Sequence, residues 1–136
     1  MGTCDSNRIL VTDDEAPIRT LFEMIITMSF PGKKIDKACN GLEAVRLFQE
    51  HHHGLLLMDL RMPEMDGLQA FLTIRELCEK EETRMPPVIF CTGYAPGDTV
   101  YDIVGNGEYH ALLHKPVRSS DITAIVKAKL ELAAQP

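Results

Sequence analysis

Short apolar runs alternate with longer amphipathic stretches along the chain. The runs are Ile9 to Val11, Ile35 to Cys39, Leu55 to Met58, Val88 to Phe90 and Ala111 to Leu113. Each is too short for a helix. Most are apolar at every position, the pattern of strands buried on both faces of a parallel sheet. Between them the apolar period lengthens to that of a helix. Residues 16–29 place Ile18, Leu21, Phe22, Ile25 and Met28 on one stripe, with Pro17 suited to a first turn. Residues 41–51 carry Leu42, Val45 and Phe48. Residues 67–82 carry Leu68, Phe71, Leu72, Ile74, Leu77 and Cys78 behind a candidate N-cap, Asp66. Residues 97–104 form a short segment after the breakers Pro96 and Gly97. Residues 119–134 carry Ile122, Ile125, Val126, Leu130 and Ala133, with Ser119 or Ser120 able to cap.

Strand then helix, five times over, predicts an α/β domain: a parallel sheet covered on both faces. No repeat, low-complexity tract or linker interrupts it. The five units take up residues 8–132, leaving 1–7 as a disordered or extended lead and 133–136 as a tail. No output domain is expected in this chain.

Composition narrows the class. The chain has 136 residues, 45% hydrophobic and 25% charged, which describes one globular domain. Fourteen Lys and Arg against twenty Asp and Glu give a net charge of −6, unlike a domain that binds nucleic acid through its own charge. No apolar run approaches a membrane span, and MGTCDSNR lacks the apolar centre of a signal peptide, so the expected location is the cytoplasm. Cys4, Cys39, Cys78 and Cys91 show no metal-ligand spacing and read as reduced thiols, some of them core residues. The run His51-His52-His53 reads as a solvated helix end, since three adjacent side chains on a helix cannot converge on one ion.

The chemistry collects at the ends of the apolar runs. Asp13-Asp14-Glu15 follows the first, Asp59 the third, Cys91-Thr92-Gly93 the fourth and Lys115-Pro116 the fifth. Singly, each has a plain explanation as a cap, a turn or a strand end. Together they point to one place. In a parallel sheet all carboxyl ends share an edge, and ligands bind where strand order reverses. With the order 2-1-3-4-5, Asp13, Asp14 and Asp59 face one another across that reversal, with Thr92 and Lys115 beside them. Like charges about 4 Å apart repel by about 4 kcal/mol at an effective dielectric near 20. A divalent cation would relieve this, and hard oxygen donors suit Mg²⁺. Lys115 and the Thr92 hydroxyl could then hold phosphoryl oxygens, leaving one carboxylate as nucleophile.

These residues resemble the receiver domain of two-component response regulators. RILVTDDEAPIR is similar to its first strand and acidic pair, and LLLMDLRMPEMDGL to its phosphoacceptor segment, with Pro63 four and Gly67 eight residues after Asp59. FCTG and LLHKP match its hydroxyl and Lys-Pro positions. The resemblance covers about residues 8–132 and implies a flavodoxin-like doubly wound (βα)5 fold. It also implies roles. Asp59 would accept a phosphoryl group from a histidine kinase or a histidine phosphotransfer domain. Asp14, Asp59 and the backbone carbonyl of Arg61 would ligate Mg²⁺, with Asp13 acting through water. Thr92 would bond the phosphoryl oxygen and Lys115 would pair with it. The implied chain is a signalling phosphoacceptor rather than a turnover enzyme, with self-phosphorylation from small donors and weak autophosphatase activity. Its partners would be the kinase and a downstream protein, with neither nucleic acid nor membrane bound directly, and phosphorylation-dependent homodimers are one form of output.

Two departures bear on switching. The family usually has Tyr or Phe three residues before the Lys; here Leu112 stands there, and Gly107 lies eight residues before Lys115 instead of seven. Tyr109 or His110 could stand in from a shifted loop. The alternatives are a pseudo-receiver, which keeps the fold without switching, and a Mg²⁺-dependent phosphohydrolase with an Asp nucleophile. Adjacent Asp13 and Asp14, in place of Asp-x-Asp, and the lack of a cap insertion speak against the latter. A flavodoxin-type carrier is disfavoured by the absence of a phosphate loop and of Trp.

Overall fold

The computed structural model describes residues 4–135. Five strands and five helices alternate: β1 (Asp5–Thr12), α1 (Ala16–Ser29), β2 (Lys34–Ala38), α2 (Gly41–His51), β3 (His53–Asp59), α3 (Gly67–Glu81), β4 (Val88–Thr92), α4 (Asp98–Val104), β5 (Ala111–His114) and α5 (Ser119–Ala133). All pairings are parallel, in the order β2-β1-β3-β4-β5. The expected doubly wound (βα)5 sheet is the observed one.

Alternate residues of each strand feed two cores. Ile9, Val11, Leu55, Leu57, Ile89 and Cys91 pack under α1 and α5, against Phe22, Ile26, Ile122 and Val126. Leu10, Leu56, Met58 and Phe90 pack under α2, α3 and α4, against Phe48, Phe71, Ile74 and Val100. Buried on both faces, β3 is apolar at every position from Leu55 to Met58. Cys78 and Cys91 are core residues, and burial pushes the Cys91 thiol up to about 12, which keeps it protonated.

Several local expectations are corrected. β1 begins at Asp5, because Asp5 pairs with His53 beyond the apolar run. Of the α1 stripe, Leu21 is 46% and Met28 81% exposed, and Ile26 is the buried residue instead. The N-cap of α5 is Arg118, with no side-chain cap bond, so neither Ser119 nor Ser120 caps. The histidines are not one solvated helix end. His51 ends α2, His52 adopts the left-handed conformation at its C-cap, and His53 opens β3 fully buried. The His53 Nε2 lies 2.7 Å from Asp36 Oδ2, which also accepts from Arg8 at 3.0 Å.

Candidate functional site

Register carries the reactive residues to one edge. Thr12 pairs with Met58, Asp59 with Cys91, and Thr92 with His114. Asp13 and Lys115, each one residue past its pair, therefore emerge beside Asp59 and Thr92. The Lys115 N–H donates to the Thr92 carbonyl at 2.8 Å, carrying the alignment one residue beyond the sheet.

The three carboxylates converge, with one oxygen from each of Asp13, Asp14 and Asp59 within 4.8 Å of the others. They differ in engagement. Asp13 is 1% exposed and both its oxygens are used: Oδ1 accepts the Glu15 N–H at 3.0 Å, and Oδ2 accepts from Lys115 Nζ at 2.7 Å. Asp59 is 7% exposed and accepts from Lys115 at 3.3 Å. Asp14 is exposed. Burial, and then the Asp13 charge, raise the Asp59 carboxyl above its ordinary value, although Lys115 opposes them. For Lys115, burial alone would lower the pKa, but the bonds and charges of Asp13 and Asp59 outweigh it and hold the ammonium protonated.

A cavity of about 420 Å³ opens over this cluster, lined by Asp14, Glu15, Asp59, Arg61, Gly93, Tyr94 and Lys115. Asp14 and Asp59 face it, and Asp13 stands behind them. Two available carboxylates beside open space for water are a donor set that could hold a hard divalent cation such as Mg²⁺. Among the described residues these three acids form the converging group of candidate metal ligands, and the three histidines do not.

The loop after β3 is shaped around Asp59. A Cβ on Gly67 would lie 2.1 Å from the Asp59 carbonyl oxygen, so only glycine allows α3 to start this close. Asp66 caps α3 as expected: its Oδ1 accepts the Gln69 N–H at 2.8 Å, and Gln69 Oε1 accepts the Asp66 N–H at 3.0 Å.

Thr92 is 1% exposed, and its hydroxyl oxygen accepts the Tyr94 N–H at 3.1 Å. Leu112 pairs with Phe90 and packs into the core beneath α2 to α4. Tyr109 and His110 cannot replace the missing aromatic, because they precede β5 at the opposite end of the sheet. There the His110 Nδ1 accepts the N–H of Val88, first residue of β4, at 3.0 Å, and the Tyr109 hydroxyl donates to the Met85 carbonyl. Arg61 was expected at the site only through its backbone carbonyl; its side chain, and Tyr94 altogether, had no signal in the pattern of the chain. The Arg61 guanidinium lies 4.0 Å over the ring of Tyr94, and both line the cavity from separate loops.

A doubly wound sheet with an acidic trio and a lysine at its switch point defines a class, and comparison with known proteins gives the family. The model of the response regulator receiver domain matches residues 9–127. The chain belongs to that family, whose members are the signalling phosphoacceptors of two-component systems. It is 36% identical over 126 residues to the regulatory protein AtoC of Escherichia coli K12, covering 93% of this chain and 26% of that protein. It is 35% identical over 127 residues to the transcriptional regulatory protein SrrA of Staphylococcus aureus, covering 92% of this chain and 48% of that one. The chain thus spans from about a quarter to half the length of these relatives. A CheY-like receiver domain from Methanospirillum hungatei superposes with a TM-score of 0.76 at 25% identity, over 93% of this chain and 94% of that one. Among the described residues no helix is long and apolar enough to cross a membrane.

Proposed function

We propose that Asp59 accepts a phosphoryl group from the phosphohistidine of a kinase or histidine phosphotransfer domain, in a Mg²⁺-dependent reaction in the cytoplasm. The domain, over about residues 8–132, then signals to a downstream protein or output region. One observation carries this reading. The Asp59 carboxylate, 7% exposed, faces a cavity with two further carboxylates within 4.8 Å and an ammonium at 3.3 Å.

In the transfer, an Asp59 oxygen forms the bond to phosphorus as the phosphorus–nitrogen bond breaks and the imidazole leaves. Asp14, Asp59 and the Arg61 carbonyl would hold the cation directly, and Asp13, whose oxygens are already engaged, through water. When bound, Mg²⁺ offsets the carboxylate charge and binds phosphoryl oxygen. Lys115, kept protonated by Asp13, pairs with another oxygen of the incoming group. Because the Thr92 hydroxyl oxygen already accepts the Tyr94 N–H, its hydrogen is free to donate to the phosphoryl group. Positioning and electrostatics supply the catalysis. The same geometry admits small phosphodonors, and water as the attacking group in slow loss of the phosphate.

The face beside the cavity supports a protein donor. Leu21, Met24 and Met28 of α1 are 46%, 55% and 81% exposed, and Ile18, Leu21, Phe22, Pro116 and Val117 line an adjoining apolar cleft that shares Lys115 with the acidic cavity. A partner delivering a phosphohistidine to Asp59 would bury this face.

Intact mass after incubation with Mg²⁺ and acetyl phosphate tests the proposal. One added phosphate is expected, lost on chelation and in Asp59→Asn. An unmodified wild-type chain would favour the pseudo-receiver, and steady turnover of stable phosphate esters the phosphohydrolase.

A further inference from the structure

The missing aromatic on β5 leaves open which side chain reports the state of Asp59. Tyr94 has the required connections. Its N–H is bonded to the Thr92 hydroxyl at 3.1 Å, and its ring lies against the guanidinium of Arg61, two residues past Asp59. The Arg61–Tyr94 stack therefore bridges the two loops that hold the acceptor and the hydroxyl. Gly93, between Thr92 and Tyr94, has nothing within 4 Å of where a Cβ would be, so the loop has room to turn.

Tyr94 is also 56% exposed, an unusual placement for a large ring beside an apolar recess. It lines a second cleft of about 220 Å³, with Leu60, Leu68, Pro96 and Val100 among the walls and Arg61, Asp66 and Thr92 as its polar edge. The ring thus stands between two cavities, stacked on an arginine that borders both. An exposed cation–π contact is weaker than a hydrogen bond between two charged groups. A phosphoryl dianion on Asp59 outcompetes the ring for Arg61 on that ranking. Apolar burial then favours the released ring entering the second cleft.

Resting on the phosphoacceptor reading, we propose that Tyr94 is the switch residue of this chain. Arg61 holds its ring outward in the unphosphorylated form. The phosphoryl group takes the guanidinium and lets the ring fold between Leu60, Leu68 and Val100. The signal then emerges at the loop before α4.

The chain has no Trp, so Tyr94→Trp places a single indole at the switch. Its acrylamide quenching and emission maximum are read before and after Mg²⁺ with acetyl phosphate, alongside intact mass. The expected result is a blue shift and a roughly twofold fall in quenching as the ring leaves solvent. Adding Arg61→Gln to the same variant should give the protected state without any phosphodonor. An indole equally quenched before and after phosphate is gained overturns the proposal, as does an Arg61→Gln variant that matches its parent. If no phosphate is gained, the phosphoacceptor reading fails instead, and the Arg61→Gln comparison still decides the clasp.

Discussion

The two ends of the sheet both bury charged and polar groups, but in opposite conditions. At the amino end the charged groups are matched: Asp36 receives Arg8 and His53, His110 receives the Val88 N–H, and Lys129 donates to the carbonyls of Gly107 and Glu108 at 2.6 and 2.9 Å, with the His53 Nδ1 the buried atom left without a partner among these groups. At the carboxyl end three carboxylates converge on one lysine's charge, which pairs with Asp13 and Asp59 and leaves Asp14 without it, and the Asp59 carboxyl is raised by burial and by Asp13. The first end holds β1, β2, β3 and the loop before β5 in register. The second keeps an excess of negative charge that a bound cation, or a proton on Asp59, would relieve. Stability and function are thereby separated along the strands, and substitutions at the two ends should move stability in opposite directions.

The largest effect is expected at the matched end. His53→Ala removes a fully buried ring and leaves Asp36 with Arg8 alone, at a cost of about 3 kcal/mol in urea unfolding. Phosphate uptake by the folded variant should persist, and its loss would break the separation. Next comes pH. Burial, with Lys129 and Arg75 nearby, holds His110 down to about 4, below its ordinary 6.5. The unfolded chain takes up that proton first, so stability falls as pH drops below 6.5, by about 2 kcal/mol at pH 5. His110→Gln, which keeps an acceptor for Val88, should flatten that slope in denaturation measured at pH 7 and pH 5.

At the acidic end the sign reverses. Because the folded Asp59 pKa lies above its unfolded value, the folded chain binds that proton more tightly. Stability then falls as pH rises through the window from the ordinary carboxylate range to the raised value. Asp59→Asn removes this cost and should raise unfolding stability by about 1 kcal/mol at pH 7 without metal. The gain should shrink in acid, and a variant less stable than wild type at neutral pH would contradict it. Asp66→Ala gives the finest contrast. It is an acid near the site whose side-chain bonds cap α3 and which stands outside the acidic cavity, so its loss should cost about 1 kcal/mol and keep phosphorylation.

Much of this architecture was legible in the chain because burial on both faces leaves an unmistakable mark. Leu55 to Met58 could hardly be anything but a central strand, and the strand order then brings Asp13, Asp14, Asp59 and Lys115 to one edge. What escaped depends on contacts between distant segments. His53 reads as polar surface until Asp36 and Arg8 are found beside it. Asp5 to Asn7 have no alternation, and their strand character comes from pairing with β3. Leu21 and Met28 satisfy helical period yet lie outside the seam where α1 meets the sheet. Arg61 and Tyr94 meet only through the geometry of two loops, which periodicity does not encode.

The central claim is that Asp59 bears the phosphate, and the most direct test is to locate it. Borohydride reduction of the phosphorylated chain, followed by peptide mass spectrometry, marks the residue that carried the acyl phosphate. Conversion of Asp59 is the expected result. A mark on Asp13 or Asp14, or a phosphate retained on the His51–His53 run, would contradict the account.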